Sequence, residues 1–202
     1  MAVDFKTSET KENLMRAFAG ESQARNRYTM AAKQAGEEKL HVIEEVFTFT
    51  ANQEKEHAEI FYKHLKELAG ETIHIDGGYP VDIADSTSKL LRFAEHNEYE
   101  EHDDVYKRFG DKAKEEGFLK AASSFYLIAE IEKVHGDRFR KFAELIEQGK
   151  LFVSDVECKW TCLNCGYVYG GKEPPEICPV CNHDKGFFVR LTLAPYSGNV
   201  EG

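Results

Sequence analysis

Four long stretches of this sequence repeat apolar residues at steps of three and four, which is the spacing of one face of an α-helix. They run from about 9 to 35, 39 to 69, 85 to 117 and 118 to 148. Residues 10–148 contain only one proline, Pro80, and are rich in the residues that favour helices. The pattern predicts four helices that pack by these apolar faces.

The connections between the four stretches predict how the helices run. Gly36 and Gly117 mark short turns, so the first helix should be antiparallel to the second and the third to the fourth. Between the second and third, about fifteen residues from Gly70 to Ala84 could extend over roughly 50 Å, enough to pass along the whole bundle. Helices two and three could then run parallel. We therefore expect a ferritin-like four-helix bundle in residues 1–149.

Each apolar stripe is interrupted near its middle by glutamate or histidine. The residues concerned are Glu21 in the first helix, Glu54 and His57 in the second, Glu95 and Glu98 in the third, and Glu132 and His135 in the fourth. Any one such pair, taken alone, is usually part of a solvated helix face. Because all seven fall in phase with core residues, we predict that they face one another inside the bundle.

Metal ions would explain why so many carboxylates lie in a core. Buried carboxylates without a counter-charge would cost many kcal/mol, and a pair of cations removes that cost. Carboxylate oxygens mixed with imidazole nitrogens suit iron or manganese. Two Glu-x-x-His pairs with a glutamate from each other helix form the dinuclear pattern of ferritin-like proteins, so a dinuclear centre is predicted.

All five cysteines lie close together near the end of the chain. Four of them form two Cys-x-x-Cys pairs, Cys162 with Cys165 and Cys178 with Cys181, whereas Cys158 stands apart and is interpreted as a free thiol. Four thiolates at this spacing are typical of one tetrahedral metal ion. So short a segment cannot bury enough apolar surface to fold without it. We expect a small metal-bound β module in residues 157–202.

The cysteines alone do not decide the metal of this module, since structural zinc and redox-active iron both use four thiolates. Gly166 and Tyr167 directly after the first pair, Pro179 inside the second, and the surrounding aromatic residues favour iron.

Charge and composition exclude some partners. Lys and Arg number 26 against 36 Asp and Glu, giving a formal charge of −10, which argues against nucleic acid or an anionic membrane. No stretch approaches the roughly 18 apolar residues that a membrane span needs. Clustered cysteines suit a reducing compartment, so a cytoplasmic location is expected.

The sequence resembles the rubrerythrin family over nearly its whole length. The stretch Ala17 to Tyr28, AFAGESQARNRY, resembles that family's first helix, and the cysteine module resembles its rubredoxin domain. The resemblance implies iron at both sites, with Glu54 and Glu132 as bridging ligands. It further implies Glu21 and Glu98 as terminal ligands of one iron, Glu95 and His135 as ligands of the other, and His57 as a redox-dependent alternative to Glu98. Residues 100–108 look longer than the family's usual segment.

The resemblance also implies a function. Members reduce hydrogen peroxide to water, with the cysteine-bound iron relaying electrons from an external donor such as a rubredoxin or its NAD(P)H-linked reductase. They are homodimers in which one subunit's rubredoxin domain approaches the other's di-iron site. Two alternatives remain open: a ferroxidase that handles iron, and a zinc-ribbon interaction protein whose bundle is merely structural.

Overall fold

The computed structural model describes residues 3–195 of the chain. Its helices are α1 (Glu9–Glu37), α2 (His41–His64), α3 (Thr87–Glu100), α4 (Tyr106–Glu115) and α5 (Leu119–Glu147), and its strands are β1 (Cys158–Cys162), β2 (Val168–Gly171) and β3 (Phe188–Arg190). A π-helical turn, Glu101–Val105, joins α3 to α4. Short 3-10 helices cover Phe5–Thr7, Lys66–Leu68, Lys185–Phe187 and Leu191–Leu193.

The two helical hairpins form as predicted, although Gly36 lies inside α1 and the first turn comes three residues later, at Lys39. The Ser8 side chain caps α1 by accepting a hydrogen bond from the Lys11 amide. Lys39 adopts a positive φ of 59° in the turn before α2, and Gly117 a φ of 91° in the turn before α5. Helix α1 packs along α2, and α3 with α4 packs along α5.

The connection from α2 to α3, residues 69–86, is an extended strap that runs along α1. Arg16, near the start of α1, pairs with Asp76 at 2.7 Å, and Arg27, about three turns later, pairs with Asp82 at 2.5 Å. The strap therefore runs in the direction of α1 and opposite to α2. Its end returns to the α1–α2 turn, which makes α2 and α3 parallel and confirms the ferritin-like bundle.

Two predicted helices differ from the observed ones. The second ends at His64, not near 69, because 3-10 hydrogen bonds tighten the chain from there while Leu65 and Leu68 stay buried. The third was expected to be continuous from 85 to 117, but the π-helical turn interrupts it within residues 100–108. A π turn accommodates an additional residue without ending the helix.

Apolar side chains fill both ends of the bundle and leave its middle polar. One cluster contains Tyr28, Phe47 and Phe139, and the other contains Phe61 and Phe125. Each fully buried aromatic ring contributes about 1.5–3 kcal/mol, so the two clusters hold the four helices firmly on either side of the polar layer.

The C-terminal module is a three-stranded antiparallel sheet in the order β2-β1-β3. Trp160 on β1 is fully buried and its Nε1 donates to the Gly171 carbonyl oxygen at 2.9 Å. The module rests on the α1–α2 end of the bundle, where His41 stacks on Phe187 with ring centroids 4.1 Å apart. Val189 packs into the adjacent bundle cluster.

This architecture confirms the predicted fold class, a ferritin-like bundle followed by a small rubredoxin-like β module. The domain boundaries 1–149 and 157–202 stay predictions, and residues 1–2 and 196–202 lie outside the described residues. Within residues 3–195, no helix has the length and apolarity needed to cross a membrane.

Candidate metal centres

Glu54 and Glu132 lie between two histidines in a nearly symmetrical arrangement. Each carboxylate directs one oxygen toward each ring. His57 Nδ1 is 3.2 Å from Glu54 Oε2 and 3.0 Å from Glu132 Oε1. His135 Nδ1 is 2.9 Å from Glu54 Oε1 and 2.8 Å from Glu132 Oε2. The layer therefore contains two equivalent positions that share two carboxylates.

A further carboxylate completes each position. Glu21 Oε2 lies 3.9 Å from His57 Nδ1, and Glu98 Oε2 lies 3.7 Å from His135 Nδ1. The resulting groups have ligand atoms within 4.8 Å of one another and consist of Glu21, Glu54, His57 and Glu132, and of Glu54, Glu98, Glu132 and His135. Six of the seven predicted residues are thus brought together.

Two tyrosines hold the terminal carboxylates in place. Tyr28 donates a short hydrogen bond to Glu98 Oε1, and Tyr106 donates to Glu21 Oε1 at 2.5 Å. Each bond uses one carboxylate oxygen and leaves the other pointing at a histidine position. Such supporting hydrogen bonds are typical of ligands around a metal.

The remaining polar atoms of the layer suit cations. All six residues are at most 5 % exposed. One or both carboxylate oxygens of Glu21, Glu54, Glu98 and Glu132, and both ring nitrogens of His135, make no well-aligned hydrogen bond among the described residues, although some of them lie within 3 Å of one another. Buried polar atoms without partners are costly, and so many converging oxygens and nitrogens fit two divalent or trivalent ions.

Without metal, the protons of the layer are strongly redistributed. Burial, together with the charges of Glu54 and Glu132, raises the pKa of Glu98 to about 8. Burial alone would lower the pKa of His57, but the Glu132 and Glu54 carboxylates outweigh it and raise this pKa to about 9. Burial alone would raise the pKa of Glu54, but the hydrogen bonds and charges of His135 and His57 outweigh it and lower this pKa to about 2. The metal-free layer is therefore held together by protons in place of metal ions.

We expect the metal-free protein to lose stability between about pH 5 and pH 9. The raised pKa of Glu98 stabilises the fold below its unfolded value of 4.5, and this contribution is lost as pH rises through about 8. His57 contributes below 6.5 and loses its contribution through about 9. Thermal unfolding of chelator-treated protein should show a lower Tm at pH 8.5 than at pH 6, by on the order of 2–4 °C for each kcal/mol lost.

The variant Glu98→Gln separates this effect from the titration of the cysteine thiols, because it should reduce the difference in Tm between the two pH values. Metal loading should act in the opposite direction, stabilising more at higher pH, since the ligands bind metal only when deprotonated. An equal or higher Tm of the metal-free protein at pH 8.5 would contradict the expectation.

Glu95 does not join the other predicted residues, which corrects the expectation for it. Its carboxylate pairs instead with Arg92 Nη1 at 2.6 Å. Burial and the charges of Glu98 and Glu132 raise the pKa of Glu101, one turn after Glu98, well above the usual value. The pKa of Glu21 is raised by burial and the charges of Glu132 and Glu54, and Glu101 adds to this, so Glu101 lies close to the layer. The third helix thus presents Glu98 and Glu101.

Sequence reasoning therefore missed Glu101 and Tyr106. Glu98 and Glu101 have the same three-residue spacing as Glu95 and Glu98, so the sequence contains a signal for either pair. No comparable signal identifies Tyr106, because its direction depends on the π-helical turn just before it.

The four cysteines form the second site. Cys162 Sγ lies 3.7 Å from Cys181 Sγ, and Cys165 Sγ lies 3.7 Å from Cys178 Sγ, with all four within 4.8 Å. A tetrahedron with metal–sulfur bonds of ~2.3 Å has edges close to this length, so the sulfurs are spaced for one ion. Cys158 lies outside the group, with Sγ 3.8 Å from the Gly171 carbonyl oxygen.

Matching turns build the two halves of this site. The amide of Gly166 donates to the Cys162 carbonyl oxygen at 2.8 Å. In the same way, the amide of Asn182 donates to the Cys178 carbonyl oxygen at 2.9 Å. Gly166 and Asn182 both have positive φ, 78° and 59°, which turns the chain back after each pair.

Together, the bundle with its shared carboxylates and the four-thiolate sheet define a ferritin-like dinuclear metalloprotein with an attached rubredoxin-like domain. Sequence models of known families agree: that of rubrerythrin matches residues 12–143, and that of the rubredoxin-like domain of rubrerythrin matches residues 160–189. The chain belongs to the rubrerythrin family. The Glu and His layer is accordingly its di-iron carboxylate site, and the cysteine group its rubredoxin-like iron site.

Individual relatives match almost end to end. Rubrerythrin of Clostridium perfringens is 45 % identical over 184 residues, covering 91 % of this chain and 94 % of the relative. Rubrerythrin of Nitratidesulfovibrio vulgaris is 41 % identical, covering 93 % and 97 %. Among solved structures, fully reduced, all-ferrous nigerythrin matches with a TM-score of 0.62 at 31 % identity, covering 91 % of this chain and 90 % of that one.

Proposed function

We propose that this iron-dependent oxidoreductase is a peroxidase that reduces hydrogen peroxide to water. The observation that carries the proposal is the pair of equivalent positions sharing Glu54 and Glu132, combined with a second redox metal site in the same chain. Splitting the O–O bond of one peroxide into two waters consumes two electrons and two protons. Two ferrous ions held side by side by these residues would supply the two electrons, and one iron on the four cysteines would return them one at a time from an external donor.

We further propose the distribution of ligands. Glu54 and Glu132 would be shared by the two ions, Glu98 and His135 would complete one position, and Glu21 and His57 would belong to the other. This differs from the ligand set implied by the sequence resemblance, because His57 and Glu98 lie at different positions of the pair. We assign Glu101, whose charge acts on Glu21, as the carboxylate that would share the Glu21 and His57 position in place of Glu98.

The protein's own groups orient the site and exclude water from most of it. The hydroxyls of Tyr28 and Tyr106 fix Glu98 and Glu21, so that each keeps one oxygen free for the ion. Apolar clusters close the layer on both sides along the bundle axis. A buried site of this kind keeps a reactive oxidant away from bulk solvent while it is consumed.

Electrons should reach the bundle from a second subunit. Within one subunit the cysteine module sits at the α1–α2 turn, and Glu54 lies thirteen residues after His41, about 20 Å along the helix axis. That separation is unfavourable for direct transfer. Exposed apolar residues along α5, Leu127 and Val134, offer a surface for a protein contact. We therefore propose a homodimer in which each cysteine module serves the partner's di-iron site.

The proposal also covers the external electron donor and the location of the protein in the cell. The external donor would be a rubredoxin or an NAD(P)H-linked reductase acting on the exposed side of the cysteine site, where Cys165 reaches solvent. None of the five cysteines forms a disulfide, as suits a cytoplasmic protein.

Stopped-flow oxidation tests the reaction. Chemically reduced, iron-loaded protein should be oxidised by hydrogen peroxide at least about tenfold faster than by equimolar dioxygen, since the centre delivers an electron pair to an existing O–O single bond. Absorbance of the ferric centres follows both reactions. Faster oxidation by dioxygen would instead support the ferroxidase. A colourless protein that binds zinc at the cysteines would support the zinc-ribbon alternative.

A further inference from the structure

A cavity of about 780 Å³ opens beside the di-iron layer. It lies between α1, the strap and the π-helical turn. Gly20, Glu101 and Tyr106 are among its lining residues, and each adjoins the layer: Gly20 precedes Glu21, and Tyr106 donates to Glu21. The cavity therefore extends from the surface to residues that adjoin Glu21, while Glu21 itself stays buried behind them.

The strap forms one wall of this cavity and is pinned on both sides of Tyr79. The Arg16–Asp76 pair anchors it before Tyr79, and Asp82 anchors it afterwards by accepting from Arg27 at 2.5 Å and from Asn97 at 2.6 Å. The Arg27 and Asp82 side chains are only 13 % and 14 % exposed, which strengthens the second anchor. The strap cannot move away as a whole without breaking both anchors.

Between the anchors, the Tyr79 ring lies over Gly20. A Cβ on Gly20 would lie 3.8 Å from Tyr79 Cε1, so the ring covers the missing side chain at van der Waals distance. The Tyr79 hydroxyl donates to the Arg16 carbonyl oxygen at 3.2 Å. The ring also packs against Gly77, where an added Cβ would lie 3.1 Å from the Tyr79 hydroxyl, so glycines on both sides let the ring sit close to the backbone.

Several side chains that line the cavity can form hydrogen bonds. Asn13, Gln23 and Asn97 are among them, as are Arg16 and Glu101. Hydrogen peroxide donates and accepts hydrogen bonds, so it can exchange its hydrogen bonds with water for hydrogen bonds with these side chains. Dioxygen forms no strong hydrogen bonds and is not favoured by such a lining.

We propose that this cavity is the entrance for peroxide and that Tyr79 sets the size of the hydroperoxide that can pass. The inference rests on the proposed peroxidase function, but the entrance itself can be tested without that reaction. Azide, a small ligand of ferric iron, must use the same route, and its binding is measured by absorbance.

Two substitutions test the entrance from opposite directions. Gly20→Leu adds a side chain between α1 and the Tyr79 ring, at the inner end of the cavity, and should slow azide binding to the oxidised protein about tenfold or more, the size of effect that steric exclusion produces in a pocket. Tyr79→Ala removes the ring and should accelerate oxidation of the reduced protein by bulky cumene hydroperoxide about tenfold, with little change for hydrogen peroxide.

Matched controls come from the same strap. Tyr79→Phe keeps the ring and removes only the hydrogen bond to Arg16, and Val81→Ala shortens an exposed side chain; both should behave like the unmodified protein. If Gly20→Leu loses helical structure or the cysteine-iron spectrum, Tyr79→Ala alone decides.

Unchanged cumene hydroperoxide kinetics in Tyr79→Ala, or unchanged azide binding in a folded Gly20→Leu, would overturn the entrance. A preference for dioxygen over peroxide would overturn the peroxidase function while the azide result stood. The two failures are therefore distinguishable.

Discussion

Replacement of Glu98 by alanine should lower the rate of peroxide reduction at least about a hundredfold, since even residues behind a metal ligand typically contribute ten- to hundredfold. Glu98 is 2 % exposed, faces His135 and is held by the Tyr28 hydroxyl, so its loss removes a ligand oxygen from the His135 position. Iron analysis should show loss from the bundle, and the visible spectrum of the cysteine site should be unchanged.

Glu95→Ala is the matched control, because it removes the same side chain one turn earlier on α3. Glu95 pairs with Arg92 and lies outside both groups of the layer, so this variant should retain both irons and nearly full turnover. A surface pair of this kind contributes no more than about 1 kcal/mol. If Glu95→Ala proved inactive and Glu98→Ala active, the ligand assignment on the third helix would be wrong.

Cys162→Ser should abolish the iron-thiolate colour and the delivery of electrons from the external donor. Cys162 is 1 % exposed and lies 3.7 Å from Cys181, so a serine oxygen there replaces one of four thiolates that hold the module together. Metal binding supplies folding free energy in modules of this size. Limited proteolysis should then cleave the module while the helices of the bundle persist.

Cys158→Ser tests whether this effect belongs to the site or to any cysteine of β1. Cys158 is half-buried on the same strand but outside the group of four, so colour and turnover should be retained. Loss of colour in Cys158→Ser and retention in Cys162→Ser would contradict the assignment.

The two inactive variants also test the proposed dimer when they are combined. A mixed dimer of Glu98→Ala and Cys162→Ser subunits has one intact cysteine site and one intact di-iron site, on different chains. Turnover should reappear, to at most about half of the normal value, if each cysteine module serves its partner. No recovery would indicate transfer within one subunit.

Much of the fold follows from the sequence, because apolar periodicity and turn residues are local signals. The stripe through Glu54 and His57 on α2, and that through Glu132 and His135 on α5, predicted a central polar layer that the structure contains. The end of α2 was less predictable, since Leu68 continues the apolar pattern although the helix has already ended.

The third helix shows where a periodic pattern becomes ambiguous. Glu95, Glu98 and Glu101 follow one another at steps of three, and at 100° per residue the first and last differ in direction by about 120°. Only two neighbouring members can face the layer together, and the sequence does not indicate which two. The choice depends on the rotation of the helix against α5 and on the π-helical turn, which are properties of packing.

The π-helical turn from Glu101 to Val105 has a consequence for how related chains can vary in length. Inserting one residue into a regular helix rotates everything beyond it by about 100° and would turn Tyr106 away from Glu21. A turn that already accommodates an extra residue can absorb such a change locally. A residue can therefore be added or removed in this segment, by evolution or by protein engineering, while Tyr106 keeps its direction toward Glu21.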